Sequence, residues 1–127
     1  MEEKVCKTSD SPKLIFSCSG AADVGELADR AARKLTKDGM GNMFCLAGIG
    51  GRIGGIMQKT KTAQTILAID GCALNCTKKC LEEAGFEDFK CLQLEDIGLM
   101  KGETEVNDLN IAEVVSKGSA LLEMAHT

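Results

Sequence analysis

The side chains of this sequence that are best suited to chemistry are its seven cysteine thiols. Cys18 and Cys72 lie just beyond apolar segments typical of β-strands, and Cys76 follows four residues after Cys72. Cys45 lies inside a third apolar segment. Because thiolates bind soft metals and four of them suffice for a closed tetrahedral zinc site, we interpret these four cysteines as zinc ligands.

Thiol chemistry without a metal is the main alternative. Cys72 or Cys76 would then act as the nucleophile of an enzyme for redox chemistry or for sulfur or metalloid transfer. An iron–sulfur cluster is a less favoured cofactor than zinc, because the spacing of Cys72, Cys76 and Cys80 matches none of the familiar ferredoxin runs. Asp70 has two interpretations: it caps the following turn, or it orients a thiolate or a metal-bound water.

The other cysteines and the only histidine have simpler interpretations. We expect Cys80, one turn inside a predicted helix, and Cys91, in a predicted strand, to pack in the core as small hydrophobic residues. Cys6 lies in the polar N-terminal tail, and His126 lies second from the C-terminus. We therefore expect neither of these two residues to bind metal.

A glycine-rich loop follows the second predicted strand and contains Gly48, Gly50, Gly51, Gly54 and Gly55. Backbone amides of such loops hold phosphates, and an acid about 20 residues further on, here Asp70, binds a ribose in dinucleotide-binding folds. The third glycine of that pattern falls one position late in this chain. We interpret the loop first as a close turn beneath the cysteine site, with a nucleotide- or phosphate-binding module at Gly48, Gly50 and Gly51 as an alternative.

Apolar periodicity predicts four strand-then-helix units after a flexible tail over residues 1–12. The predicted strands are residues 13–17, 43–47, 65–69 and 89–94. The predicted helices are residues 23–37, 53–61, 74–84 and 108–124, of which the second is weak. Asp23 with Glu26 is typical of a capped helix start, and Gly39 of a helix end.

Strands that alternate with helices indicate right-handed crossovers and a mostly parallel sheet. We therefore expect residues 13–127 to form one three-layer α/β domain, with helices on both faces of a four-stranded, Rossmann or flavodoxin-like sheet. Ligands of such sheets bind beyond the carboxyl ends of the strands, so the predicted ligand cysteines should meet at one rim. The positive end of the helix that begins near Cys76 would stabilise anionic sulfur there.

Composition argues against several classes of partner. The chain has four Phe, no Tyr, no Trp and a formal net charge of −4, so it offers little to stack on nucleic-acid bases or to attract phosphates. Its apolar runs are too short for a transmembrane helix, and residues 1–10 are too polar for a signal peptide. We expect a cytoplasmic protein with reduced thiols, and neither nucleic acid nor membrane as a partner.

Several segments together resemble the DGC-domain family, whose name comes from the tripeptide Asp70-Gly71-Cys72. The resemblance extends over about residues 13–101 and rests on Cys18-Ser19-Gly20, Val24-Gly25, Leu27-Ala28, residues 45–51 and residues 69–72 with Cys76. The family is described as binding zinc through four cysteines, and the resemblance implies that role for Cys18, Cys45, Cys72 and Cys76. It implies no established reaction, and Ala73 stands where the family often has proline.

Overall fold

Four strands form the sheet in the computed structural model, which describes residues 11–124. They are β1 (Lys13–Ser17), β2 (Asn42–Met43), β3 (Thr65–Asp70) and β4 (Lys90–Gln93). Their order across the sheet is β2-β1-β3-β4, and every neighbouring pair is parallel. Every residue of β3 is buried, because this strand has a neighbour on each side and helices over both faces.

Two layers of helices cover the sheet, which confirms the predicted three-layer α/β fold. The helices are α1 (Asp23–Lys37), α2 (Leu46–Gly50), α3 (Gly54–Lys61), α4 (Cys76–Glu83) and α5 (Asp108–Glu123). Leu35 of α1 and Leu122 of α5 pack with Leu67 on one face. Ile49 of α2 and Leu81 of α4 pack with Phe16 on the other face, together with α3 side chains.

The second strand is shorter than predicted. It ends at Met43, and the chain then turns into α2, so the prediction of a strand over residues 43–47 was wrong. Cys45 is the residue before the first turn of α2, where its carbonyl accepts hydrogen bonds from the amides of Gly48 and Ile49. A Cβ at position 48 would collide with the end of the Ile56 side chain of α3, so the lack of a side chain at Gly48 lets α2 and α3 pack closely.

Helix α1 has the predicted bounds, but its first turn differs from the prediction. Ala22 precedes the helix and has no side-chain group that could cap it. The Asp23 carboxylate accepts a hydrogen bond from the amide of Val24 (2.8 Å) and also from the amides of Gly102 (2.9 Å) and Thr104 (3.1 Å). Asp23 therefore holds the connector between β4 and α5 against the start of α1, and Gly39, at a φ of +78°, ends the helix as predicted.

Cys91 is exposed, and the expectation that it packs in the core was wrong. It lies on β4, an edge strand that has a neighbour on one side only. The next residue, Leu92, points to the opposite face and is buried there.

Among residues 11–124, no helix combines the length and apolarity needed to cross a lipid bilayer.

Candidate functional site

A crevice forms where the chain changes direction in the sheet. From β1 the chain passes outward to β2 and then returns to β3 on the other side of β1. The connections after β1 and β3 therefore diverge, as at the ligand-binding switch points of other parallel sheets. A cavity of about 470 Å³ lies at this point, and Cys18, Cys72 and Cys76 line it. Three of the four predicted ligands thus line one cavity, although Cys18 follows β1 whereas Cys72 and Cys76 follow β3.

A backbone hydrogen bond joins the two strand ends at this cavity. Cys18 directly follows β1, and its amide donates to the carbonyl of Ile69 at 3.2 Å. The amide of Gly71, after β3, donates to the Cys18 sulfur at 3.4 Å. This contact holds the Cys18 sulfur beside the end of β3.

Two glycines allow α1 to approach the cavity closely. A Cβ on Gly71 would lie 2.7 Å from the carbonyl carbon and oxygen of Val24. A Cβ on Gly25 would lie 2.6 Å from the Gly20 carbonyl oxygen. Real Cβ atoms do not come so close to backbone atoms, so any side chain at either position would push α1 away from the strand ends. The first turn of α1 thereby becomes an apolar wall of the cavity.

Asp70 caps the helix that carries Cys76. Its carboxylate is 3% exposed and accepts hydrogen bonds from the amides of Thr77 (2.7 Å) and Lys78 (3.0 Å). Of the two interpretations of Asp70, the cap is the one that the hydrogen bonds support. Since these first-turn amides already donate to Asp70, the positive end of α4 has fewer free donors for a thiolate at Cys76 than the sequence led us to expect.

Left-handed backbone flanks two of the cavity cysteines. Ser19, directly after Cys18, has a φ of +50°, and Asn75, directly before Cys76, has a φ of +54°. This conformation is costly for residues other than glycine, so surrounding contacts must hold it. The Ser19 hydroxyl donates to Asp29 at 2.7 Å, and the Asn75 amide oxygen accepts from Gln93 at 2.6 Å.

A second cavity, of about 510 Å³, is lined by Cys45 together with Cys18 and Cys80. Cys18 therefore lines both cavities. Among residues 11–124, no three His, Cys, Asp or Glu side chains are placed to hold a metal ion as they stand. The donor chemistry of the thiols nevertheless suits zinc, and the Cys45 and Cys76 residues are exposed and have room to rotate.

The glycine-rich loop is built differently from a phosphate cradle. Its first residues belong to α2, where the amide of Gly51 donates to Ala47 at 2.9 Å and that of Gly48 to Cys45 at 3.1 Å. The Arg52 guanidinium donates to the carbonyls of Ile49 and Gly50 and to that of Glu83 in α4. These contacts favour the interpretation of the loop as close packing over that of an anion site at Gly48, Gly50 and Gly51.

Lys101 is a residue of the site that the sequence did not reveal. It lines the first cavity, and its loop is held to α1 by the bonds to Asp23. The connector that contains it shows no helical or strand periodicity, so sequence alone gave no reason to place it near the cysteines. Lys101 contributes a positive charge to a cavity that is otherwise mostly apolar.

The remaining predicted residues divide into three groups. Cys80 is half-buried, and burial raises the pKa of its thiol while the nearby Arg52 opposes that rise. Burial of the sulfur likewise raises the pKa of the Cys91 thiol, although the residue as a whole is exposed. Cys6 and His126 lie outside the described residues.

Comparisons with known proteins agree with the sequence motifs. A model of the DGC domain matches residues 14–117. A curated relative, the anaerobic and virulence modulator AnvM of Pseudomonas aeruginosa, is 34% identical over 96 residues, which cover 75% of this chain and 73% of the relative. The search of solved structures found no match.

Proposed function

This chain belongs to the DGC domain family, and from that premise we propose that it binds zinc through the thiolates of Cys18, Cys45, Cys72 and Cys76. The observation that carries the proposal is the cavity at the switch point, which three of these cysteines line from the two connections that follow β1 and β3. The Gly71 amide bonded to the Cys18 sulfur supports it, because this contact holds the sulfur at the junction of the two strand ends.

The residues around the cavity have separate tasks in this proposal. Cys18 and Cys72 are half-buried against the core, so they provide the ordered part of the site. Cys45 and Cys76 are exposed and complete the site by side-chain rotation. Asp70 keeps the first turn of α4, and with it Cys76, at the end of β3. Zinc, when bound, would join the segments that follow β1, β2 and β3.

Elemental analysis tests the proposal directly. The protein is prepared without oxygen, reloaded with zinc, desalted and analysed for zinc and iron. We expect stoichiometric zinc in the wild type and in Cys91→Ser, the control for an exposed thiol. Cys18→Ser and Cys72→Ser should lose most of it, because each removes a half-buried ligand. Wild type with neither zinc nor iron would contradict the proposal, and iron in place of zinc would favour the cluster alternative.

A regulatory role fits this site better than a catalytic one. The Pseudomonas aeruginosa relative is named an anaerobic and virulence modulator, and modulation is a regulatory role. We extend only that regulatory sense to this chain. A thiolate site responds to metal supply and to oxidation. Changes in either would act on reduced thiols in the reducing, cytoplasmic setting that we propose for this protein.

A thiol-dependent enzyme is the second candidate. The observation that favours it is the size of the first cavity, which admits a small molecule beside Cys72, Cys76 and the cationic Lys101. Alkylation of metal-free protein by iodoacetamide, followed by mass spectrometry, distinguishes the two candidates. Rapid modification of Cys72 or Cys76 alone near neutral pH would support an activated nucleophile, whereas slow and uniform modification would contradict it.

A further inference from the structure

A groove lies between α1 and α5, on one face of the sheet and away from the cysteine-lined edge. The two helices pack closely at Gly118, where a Cβ would lie 3.0 Å from Cδ1 of Leu35. A cavity of about 580 Å³ lies between the more exposed side chains of the same two helices. Its α5 wall consists of Asp108, Ile111, Ala112, Val115, Ser116 and Ser119.

The bottom of this groove is an apolar strip on α5. Ile111 and Val115 lie one helical turn apart, so their side chains are neighbours on one face of the helix. Both side chains are half-buried against the core, and Ala112 beside them is exposed. Residues 11–124 therefore leave an apolar strip partly open to solvent along α5.

The α1 wall of the groove is positively charged. It consists of four exposed side chains at the spacing of one helix face, those of Arg30, Arg33, Lys34 and Lys37. Three of them form surface ion pairs with carboxylates of α1 that do not line the groove, those of Glu26, Asp29 and Asp38.

These charges are available to a partner. Surface ion pairs between residues one helical turn apart are weak, so the cations can exchange their carboxylates for those of another chain. Lys37 forms no ion pair with any of residues 11–124. The groove thus has four cations against one acid, Asp108, although the chain as a whole has a net charge of −4.

We propose that this groove binds an acidic amphipathic helix of a partner protein. Apolar side chains of that helix, spaced three and four residues apart, pack on the strip at Ile111 and Val115, and its carboxylates meet the cations of α1. A nucleic acid would use the cations but not the apolar strip. The α5 wall extends over residues 108–119, about 17 Å along a helix, so the partner helix needs about three turns.

Peptide selection tests the proposal. The reduced full chain is immobilised and presented with a phage library of peptides about 14 residues long. We expect enriched sequences to have apolar residues at helical spacing and Glu or Asp beside them. No enrichment, or enriched peptides without an acidic bias, would overturn the proposal. The groove contains no cysteine, so its failure would leave the zinc proposal untouched.

Two double variants test the role of charge in binding of an enriched peptide, measured by fluorescence anisotropy. Lys34→Gln/Lys37→Gln and Lys59→Gln/Lys61→Gln each neutralise two lysines in the last turn of a helix, and only the first pair lines the groove. The first variant should raise Kd about tenfold and weaken its dependence on salt, and the second should leave both unchanged. Equal effects of the two variants would contradict the assignment of the groove.

A second pair of variants tests the apolar strip and the identity of the occupant. Ala112 and Ala120 are both exposed on α5, and only Ala112 lines the groove. Ala112→Glu should therefore abolish binding of the enriched peptide, and Ala120→Glu should bind it like the wild type. Sedimentation of the wild type alone should show a monomer. A dimer that Ala112→Glu dissociates would overturn the acidic partner in favour of a second copy of this chain.

Discussion

At the scale of single residues, the tripeptide Asp70-Gly71-Cys72 combines three different tasks. Asp70 caps α4 with both carboxylate oxygens. Gly71 allows the backbone of Val24 to approach and donates its amide to the Cys18 sulfur. Cys72 presents its thiol to the cavity. Two residues of the motif, Asp70 and Gly71, therefore serve the geometry of the site, and Cys72 alone provides a potential ligand.

Gly71→Ala should destabilise the protein, because the new Cβ would meet the Val24 carbonyl at 2.7 Å. We expect a loss of about 1–3 kcal/mol in the free energy of unfolding, measured by urea denaturation, as for other overpacked sites. Gly55→Ala is the matched control, since a Cβ there meets no described heavy atom within 4 Å. Within α3 it should be neutral or stabilising by about 0.5–1 kcal/mol. Equal effects of the two variants would contradict the close-approach argument.

Asp70→Ala removes the cap of α4 and leaves two first-turn amides without their acceptor. We expect a loss of about 1–2 kcal/mol in unfolding free energy and faster hydrogen exchange of the Thr77 and Lys78 amides. Asp96→Ala, at an exposed position, serves as the control for the removal of a carboxylate. If hydrogen exchange of the Thr77 and Lys78 amides were unchanged in Asp70→Ala, the Asp70 cap would not be what holds the first turn of α4.

At the scale of elements, α1 connects the cavity to the distant connector before α5. Its first turn forms the cavity wall, and its first residue, Asp23, binds the loop that contains Lys101. The hydrogen bonds from Gly102 and Thr104 lower the pKa of the Asp23 carboxyl below its usual 3.8. The position of Lys101 at the cavity therefore depends on the ionised form of Asp23.

This link predicts a pH-dependent contribution to stability. Because the folded-state pKa is lowered, the contribution of the Asp23 charge is present above the unfolded-state pKa of about 4 and disappears as the pH falls through the folded value. We expect wild type to exceed Asp23→Asn in stability at pH 7, with the difference vanishing in acid. Glu103→Gln, which removes a charge from the same loop, should show no such pH dependence. If the difference in stability between the wild type and Asp23→Asn stayed constant with pH, the proposed role of the Asp23 charge would be contradicted.

At the scale of the whole molecule, the proposed ion would join segments that the sheet already brings close together. A ligand that binds only the folded state stabilises it by mass action, by about 2.7 kcal/mol at a free concentration of 100 times Kd. Thermal denaturation with added zinc should therefore show a higher Tm for wild type and for Cys91→Ser, and a chelator should reverse the increase. The Tm of Cys18→Ser should rise much less when zinc is added. An equal increase for Cys18→Ser would indicate that zinc binds elsewhere.

Much of the architecture could be predicted because its signals are local. Apolar periodicity predicted α1 and β1 with their observed bounds, and it predicted β3 to within one residue. The last helix lies where it was predicted, and its cap is Asn107, whose side chain accepts a hydrogen bond from the Asn110 amide. The second strand ends earlier than predicted, because the apolar residues that follow it enter α2, where the carbonyls of Cys45 and Ala47 accept helical hydrogen bonds.

The sequence alone determined that Cys18 and Cys72 would lie at the same edge of the sheet, since strand-helix alternation brings all carboxyl ends to one edge. Only the tertiary structure decided that Cys45 shares a cavity with Cys80, and that Lys101 reaches the cavity lined by Cys72 and Cys76. The first result depends on periodicity within short segments. The second depends on contacts between residues far apart in the chain, which no local pattern encodes.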